Sequence, residues 1–315
     1  MGLKQYVQKL QKEGDTGLLL FNELRRIRAL LKKGVSDKEF YNQYFRESFG
    51  RDINFENPET LNEKIQWLKL YSRKDFQTRC ADKFLVREYV VEKCGEEARK
   101  HLIPLLFETS KWQDITFENL PDEPFIIKPT HTSGDYKIIR DKHNVNIKAL
   151  RRLCRQWLRR DFYLEGREWQ YKNCPRRIII EKLLTTEDGH IPNDYKLHYI
   201  NGQLEFVYCS IGRETTNHRK IYNAEWQPLP FLWVPKTKIN EQSKGDDIPA
   251  PASFDLMKKY ADIIAKDFDY VRVDFYDVDG ELYFGEVTLY HGGGFDVFVP
   301  EEYDKLYGDK LILHK

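Results

Sequence analysis

The sequence predicts an α+β protein, helices combined with largely antiparallel sheets. Three observations lead there. Apolar residues recur at helical spacing through much of residues 18–95. From residue 123 onward, short runs rich in Ile, Val, Phe and Tyr are punctuated by polar turns. Two pairs of runs are joined by hairpin turns, one at Asn201-Gly202 and one at residues 278–280.

The elements follow in order. Residues 18–33, LLLFNELRRIRALLKK, carry apolar residues at helical spacing beside a basic face. A packing helix with a solvated basic face is expected; a membrane-surface or partner helix is the alternative. PETLNEKIQWLKLY predicts a helix with Thr60 as N-cap, Glu63 three residues on, and Ile65, Leu68 and Leu70 as apolar positions. RCADKFLVREYVVEKCG continues as helix to a stop at Gly95. PFIIKPTHTSGDYKIIR reads strand, loop, strand; residues 147–160 read helix; RRIIIEKLL is a short apolar strand. DYKLHYINGQLEFVYCS is a hairpin, residues 205–250 read as irregular, and SFDLMKKYADIIAKDF is an amphipathic helix from near Ser253. The hairpin VRVDFYDVDGELYFGEVT comes next.

Composition bounds the function. The 315 residues allow one large domain or two to three small lobes. Hydrophobic residues at 41% and aromatics at 14% support sizeable cores and exclude global disorder. A net charge of +1 gives no reason to expect a general nucleic-acid binder. No apolar run reaches the roughly 20 residues of a membrane span. MGLKQYVQKLQKEGD lacks the apolar core of a signal peptide, so a soluble, cytoplasmic protein is expected. Cys80, Cys94, Cys154, Cys174 and Cys209 form no C-x-x-C pair, which argues for free thiols over zinc or disulfides.

The last hairpin carries unusual residues for a strand pair. Alternate residues share a face, so Arg272, Asp274 and Tyr276 lie together, as do Glu286 and Thr288. A two-residue turn would send these sets to opposite faces. A three-residue loop at 278–280 would place Arg272 opposite Glu286 with Asp274 one step along, and is the form expected. Two carboxylates, an arginine and the glycine-rich LYHGGGF then make a site for a divalent cation and phosphate oxygens. A salt-bridged solvated face explains the hairpin equally well. Lys128 ends an apolar strand, and the loop after it carries His131, Thr132, Ser133 and Gly134, whose backbone N–H groups and hydroxyls can wrap phosphates. No G-x-x-x-x-G-K-[ST] is present. Glu181 ends a strand that can present a carboxylate and backbone groups to a purine edge; a surface pair with Arg177 or Lys182 is the plain alternative.

Taken in order, ADK, IIKP with its loop, IIIEKLL, DYK, VRVDFY and GEVT resemble the ATP-grasp superfamily. PETLNEKIQWLKLY, ADKFLVREYV, GREWQYKN, TTNHRK and VRVDFYDVDGELYFGEVTLYHGGGFDVFVPEEYD look like the TupA-like (teichuronopeptide-biosynthesis) ATP-grasp family, from about residue 50 to the C-terminus. The resemblance implies two α+β lobes clasping ATP. The expected layout is a helical region 1–75, a linking segment 76–122, a small lobe 123–184 and a large lobe 185–315.

The resemblance also implies roles. Lys83 and Lys128 would contact the nucleotide phosphates, with residues 130–135 as a mobile phosphate loop. Glu181 with the backbone around Lys182 and Leu183 would hold adenine, and Asp194, with Lys196 beside it in DYK, the ribose end. Arg272 would stabilise the transferring phosphoryl group; Asp274, Glu286 and Thr288 would bind magnesium. Arg213, Asn217, His218 and Arg219 in GRETTNHRK, with His291, Gly292 and Gly293, are the candidates for acceptor binding.

Three departures stand out. Thr288 occupies a position where the superfamily commonly has Asn, the phosphate loop has one glycine, and His291 stands where relatives often have Pro. The implied function is an ADP-forming carboxylate–amine ligase using ATP and Mg2+. It would join a sugar acid of a surface polysaccharide to an amino acid or amine, with no nucleic-acid partner and peripheral association with membrane-bound glycan assembly enzymes. A kinase on the same fold, a glycosyltransferase acting on the same glycan, and a non-catalytic nucleotide-binding partner remain alternatives.

Overall fold

The computed structural model describes residues 14–215, 217–242 and 245–314. Residues 1–13, most of the opening segment read above for a signal peptide, lie outside them. The chain forms two units. The first contains residues 14–36, Asp82–Phe84 and Pro104–Leu183; the second contains Asp37–Ala81, Leu85–Ile103 and residues 184–314. No helix of the described residues is long and apolar enough to cross a membrane.

The first unit is built on four antiparallel strands, β1 (Leu105–Thr109), β2 (Phe125–Pro129), β3 (Lys137–Ile139) and β4 (Ile178–Lys182), in the order β1-β4-β2-β3. Register pairs Ile127 with Ile180 and Lys128 with Ile179. Strand alternation therefore puts Phe125, Ile127, Ile178 and Ile180 on one face. These four pack with Leu150, Leu153, Cys154 and Trp157 of the helix Ile147–Arg159. Each such large apolar side chain contributes about 1.5–3 kcal/mol by leaving water. Asn146 caps that helix, its side chain accepting from Ala149 N at 3.0 Å. The helix Gly14–Leu31 lies against it, with Gln156 Nε2 donating to Leu19 O at 3.0 Å.

The second unit carries a five-stranded antiparallel sheet in the order β10-β9-β5-β6-β7. Its strands are β5 (Asp194–Ile200), β6 (Gln203–Ile211), β7 (His218–Tyr222), β9 (Tyr270–Val278) and β10 (Glu281–Thr288). A separate pair joins β8 (Leu232–Val234) to β11 (Val297–Val299). Odd-numbered residues of β5 and β9 face the helix Phe254–Ala265, where Tyr199 donates to Asp262 Oδ1 at 2.6 Å. Asn201 and Gly202 take φ of 48° and 77°, the geometry of a tight hairpin turn with two left-handed residues. The Thr60–Glu63 capping box forms as the sequence predicts.

Three local expectations need correction. The helix expected through residues 79–94 breaks into Phe76–Ala81 and Leu85–Cys94. Asp82 Oδ1 accepts from Phe84 N at 2.8 Å, a local turn bond that competes with the helix, and Asp82–Phe84 join the first unit. Residues 205–250, read as irregular, contain most of β6 together with β7 and β8. Their alternation is short and interrupted by prolines and asparagines, so no long period stands out.

The third correction concerns the last hairpin. Its turn is the two-residue Asp279-Gly280, with φ of 53° and 93°, not a three-residue loop. Glu281 pairs with Val278 and Phe284 with Phe275. Such a turn alone would turn Glu286 away from Asp274. A bulge between Phe284 and Glu286 restores the parity, so Glu286 pairs with Asp274 and Thr288 with Arg272. The extra residue is Gly285, and a Cβ there would stand 2.9 Å from Asp274 O. Gly285→Ala should therefore lower stability by about 1–3 kcal/mol through overpacking. Urea unfolding of the variant checks this, and an unchanged midpoint would mean the bulge has slack.

Candidate active site

The five-stranded sheet has one apolar face and one charged face. Register pairs Asp194 with Tyr276, Lys196 with Asp274 and His198 with Arg272. The bulge adds Glu286 and Thr288 to this face. One continuous network results. Arg272 donates to Asp274 through Nε at 2.7 Å and Nη2 at 2.7 Å, and through Nη2 to Glu286 Oε1 at 3.0 Å. Lys196 Nζ donates to Asp274 Oδ2 at 2.7 Å and also to Asp194 Oδ2. Thr288 donates to Glu286 Oε1 at 3.1 Å.

Burial makes these contacts consequential. Arg272, Asp274 and Asp194 are buried, whereas the Glu286 side chain is 37% exposed. Burial alone would lower the Arg272 pKa, but Asp274 and then Glu286 outweigh it and raise it. Burial raises Asp194, yet Lys196 and Arg213 bring it below the ordinary carboxylate value. Asp274 is pushed upward by burial against the pull of Arg272 and Lys196. Asp194 Oδ1 is buried with no hydrogen-bond partner.

His291 joins the network from the glycine-rich segment. Arg272 Nη1 lies 2.9 Å from His291 Nδ1. Arginine has no acceptor, so Nδ1 accepts and the imidazole is neutral with its proton on Nε2. Burial and then Arg272 hold its pKa well below the ordinary value, consistent with that state. The ring sits among Trp233 at 4.3 Å, His198 at 5.0 Å and Tyr208 at 5.1 Å. Gly292 and Gly293 follow in left-handed conformation, φ 56° and 63°. A Cβ on Gly292 would come within 2.4 Å of the Asp296 carboxylate, so the turn requires a residue without one.

Two side chains that sequence reasoning missed hold this turn. Gln66 Nε2 donates to Gly293 O and Gly294 O, both at 2.8 Å. The buried Lys69 donates to Gly293 O at 2.9 Å and stands over the rings of Tyr41 at 4.4 Å and Phe295 at 4.6 Å. In IQWLKL both read as polar positions of an ordinary helix, and no local pattern marks them. Asp296, also missed, is pushed up to about 7 by burial, against Arg272 and Arg219.

A pH dependence follows from Asp296. Its folded pKa exceeds the ordinary 3.8, so the folded state binds its proton more tightly. That stability is fully present below about 3.8 and is lost as pH rises toward about 7. The stability of Asp296→Asn relative to wild type should therefore climb over that window and level off above it. Denaturant titrations of both proteins across the window measure it, and a flat difference would contradict the shift.

The other candidates on the second unit are spread around this face. Arg213 stands 3.9 Å from Asp194 Oδ2 and over the Tyr276 ring at 5.7 Å. Arg219 pairs with Ser210 across β6 and β7 and donates to Asn217 O at 3.2 Å. Asn217, at φ 49°, is thereby tied to Arg219, and His218 begins β7. Thus Asp194, Lys196, Arg272, Asp274, Glu286, Thr288 and His291 form one network, while Asn217 and His218 stand outside it.

The first unit has its own cluster. Lys128 and Glu181 share the sheet face opposite the helix, with Lys128 Nζ 2.6 Å from Glu181 Oε2. Glu181 thus pairs with Lys128 on the neighbouring strand, while Arg177 stands by Asp82 and Glu108 and Lys182 by Glu123. Lys182 and Leu183 donate their backbone N–H groups to Pro104 O and Pro124 O, each at 3.0 Å. Lys83 donates through Nζ to Thr132 O and through its backbone to Thr130 O. In the loop itself His131 and Thr132 are buried, and Ser133 and Gly134 are exposed. Trp157 O stands 3.0 Å from His131 Nε2, and burial pushes that imidazole down to about 4. Asp135 is held by Arg160. The loop therefore has a fixed base and an exposed two-residue tip.

The donor set suits magnesium. Asp274 and Glu286 are cross-strand partners offering hard carboxylate oxygens. Magnesium is typically bound by one or two carboxylates plus substrate phosphates, not by an all-protein cage. Among the described residues, no group of three or more His, Cys, Asp or Glu could hold a metal ion.

Comparison with known proteins places the chain. The model of the family described as TupA-like ATPgrasp matches residues 63–312. No curated protein sequence matches. Among solved structures, the D-alanine–D-alanine ligase of Bacillus anthracis is similar at 15% identity, covering 73% of this chain and 59% of that one, with a TM-score of 0.33. The D-alanine–D-alanine ligase of Helicobacter pylori is similar at 13% identity, covering 82% and 68%, TM-score 0.41. The ATP-grasp ligase PsnB, in complex with a precursor variant, Mg and ADP, is similar at 11% identity, covering 72% and 57%, TM-score 0.40. The chain thus spans less than two thirds of the Bacillus anthracis ligase.

Proposed function

This chain belongs to the TupA-like ATP-grasp family, and on that premise we propose that it is an ADP-forming carboxylate–amine ligase. The observation that supports this most is the buried Arg272 network, in which a guanidinium, an ammonium and three carboxylates share one sheet face. Buried charge of this density is costly to keep for stability alone, and it suits a reaction that moves phosphoryl charge.

The reaction runs in two steps. A carboxylate oxygen of the acid attacks the ATP γ-phosphorus, the bond to the bridging oxygen breaks, and ADP leaves. The amine nitrogen then attacks the acyl carbon, the bond to the phosphate oxygen breaks, and the amine proton is lost. Neither step needs a nucleophile from the protein. Arg272, aimed by Asp274 and His291, neutralises charge on the phosphoryl oxygens. Lys83 and Lys128 contact phosphates, and Ser133 and Gly134 at the loop tip cover them. Glu181, Lys182 and Leu183 take adenine. Asp194 takes ribose hydroxyls, which would satisfy its unpartnered Oδ1. Asp274 and Glu286, with the Thr288 hydroxyl, would hold magnesium, which when bound draws off phosphoryl charge.

For substrates we infer a uronic acid of a surface polysaccharide and an amino acid or amine, following the family. Arg213 and Arg219 are the donors suited to the acid. ADP release screened over uronic acids crossed with amino acids and amines tests the reading. ADP and phosphate formed only when acid and amine are both present support it. ADP with a stable phosphorylated acid and no amine consumed replaces it with a kinase. Thermal stabilisation by UDP-sugars and not by ATP replaces it with a glycosyltransferase.

A further inference from the structure

The helix Gly14–Leu31 buries one face and leaves the other bare. Asn22 and Ala29 are buried on one face, while on the other Leu20 is 49%, Leu24 37%, Ile27 44% and Leu31 81% exposed; Gly17, the next position of that row toward the N-terminus, is buried. These four fall at intervals of four, three and four residues, so they form one straight ridge on the helix. Leu30, 46% exposed, flanks it. Single exposed leucines are ordinary, but a contiguous ridge of this kind marks an interaction surface.

Charge identifies the occupant. Residues 14–33 contain Arg25, Arg26, Arg28, Lys32 and Lys33 against only Asp15 and Glu23. Within the unit Asp15 pairs with Lys137, Glu23 with Arg26, and Arg25 with Asp135 and Glu165, so the basic side of the helix rests on Arg28, Lys32 and Lys33. Arg28, four residues from Leu24 and three from Leu31, is exposed beside the ridge, and Lys33, in the turn after the helix, is exposed as well. The whole chain has a net charge of only +1, so this excess of cations is local. An apolar ridge bordered by arginine and lysine is the pattern of a helix lying in a lipid headgroup layer. A second copy of the chain is the weaker fit. The ridge spans about 17 Å at about 1.5 Å per residue, too short to bury the roughly 1,200 Å² of a stable interface.

We propose that this helix lays its Leu20–Leu24–Ile27–Leu31 ridge on an anionic lipid surface and holds the protein there reversibly. The inference is independent of the reaction chemistry. Each cation near an anionic surface is worth about a fivefold change in binding, and the ridge supplies the rest.

Co-sedimentation of the full chain with vesicles tests it. The protein should pellet with phosphatidylcholine–phosphatidylglycerol vesicles and not with phosphatidylcholine alone. Binding should fall as salt is raised from about 0.1 to about 1 M, where the Debye length drops from about 10 to about 3 Å. Arg28→Gln with Lys33→Gln should weaken binding about thirtyfold. Leu24→Gln with Leu31→Gln should weaken it about tenfold or more. Leu31→Gln alone, at a position 81% exposed, gives the same direction should the double variant unfold. No pelleting with anionic vesicles overturns the proposal, as does equal pelleting with neutral ones or ridge variants that bind like wild type. A wild-type dimer in light scattering that Leu31→Gln converts to monomer also overturns it, since a second copy then covers the ridge. Loss of binding on deleting residues 1–13 alone assigns the effect to that segment and overturns it too.

Discussion

Asp274→Asn is expected to abolish turnover and to lower stability by about 3–5 kcal/mol, the cost of breaking a buried ion pair by removing one partner. Asp274 accepts two bonds from Arg272 and one from Lys196 and is 1% exposed. The asparagine keeps the shape but leaves the buried Arg272 and the partly buried Lys196 with less counter-charge. Sequence reasoning alone treats Asp274 as a metal ligand; its burial between Arg272 and Lys196 makes it a residue of the framework. Urea unfolding and ADP release measured on the same preparation check both halves. Wild-type stability in this variant would mean that water reaches Arg272 and Lys196 more freely than their burial indicates.

Glu286→Gln should separate the two roles. Its side chain is 37% exposed and its Oε1 is shared by Arg272 and Thr288. A solvated carboxylate adds little to stability, so the unfolding midpoint should stay within error. On its proposed role as a magnesium ligand, turnover should fall by about a hundred- to a thousandfold. Raising magnesium should recover part of that loss. A Glu286→Gln variant as unstable as Asp274→Asn would make Glu286 a structural residue instead.

What the sequence made legible depended on how local the signal was. The Thr60–Glu63 box, the Asn201-Gly202 turn and the helix Ile147–Arg159 all follow from residues a few positions apart, and all are found. The shared face of Arg272, Asp274 and Glu286 was also legible, but by a different route. The turn is two residues, and Gly285 supplies the missing parity as a bulge. A glycine inside a strand pattern is the usual trace of such a bulge, and GEVT carried it. The break at Asp82–Phe84 was hidden because the flanking residues keep a helical period, while Asp82 competes through its side chain. Cross-strand and tertiary contacts left no local mark. The Lys128–Glu181 pair, the bridge of Lys196 between Asp194 and Asp274, and the hold of Gln66 and Lys69 on Gly293 depend on register and packing.

The central claim is that an acyl phosphate forms, and isotope transfer tests it most directly. An acid that supports ADP release is labelled with oxygen-18 in its carboxylate and turned over with ATP and its amine. An acyl phosphate leaves one labelled carboxylate oxygen on phosphorus when the amine displaces it. The account therefore predicts oxygen-18 in the released inorganic phosphate, alongside unlabelled ADP. Label in AMP, with pyrophosphate as the other product, would mean adenylation and would contradict the account.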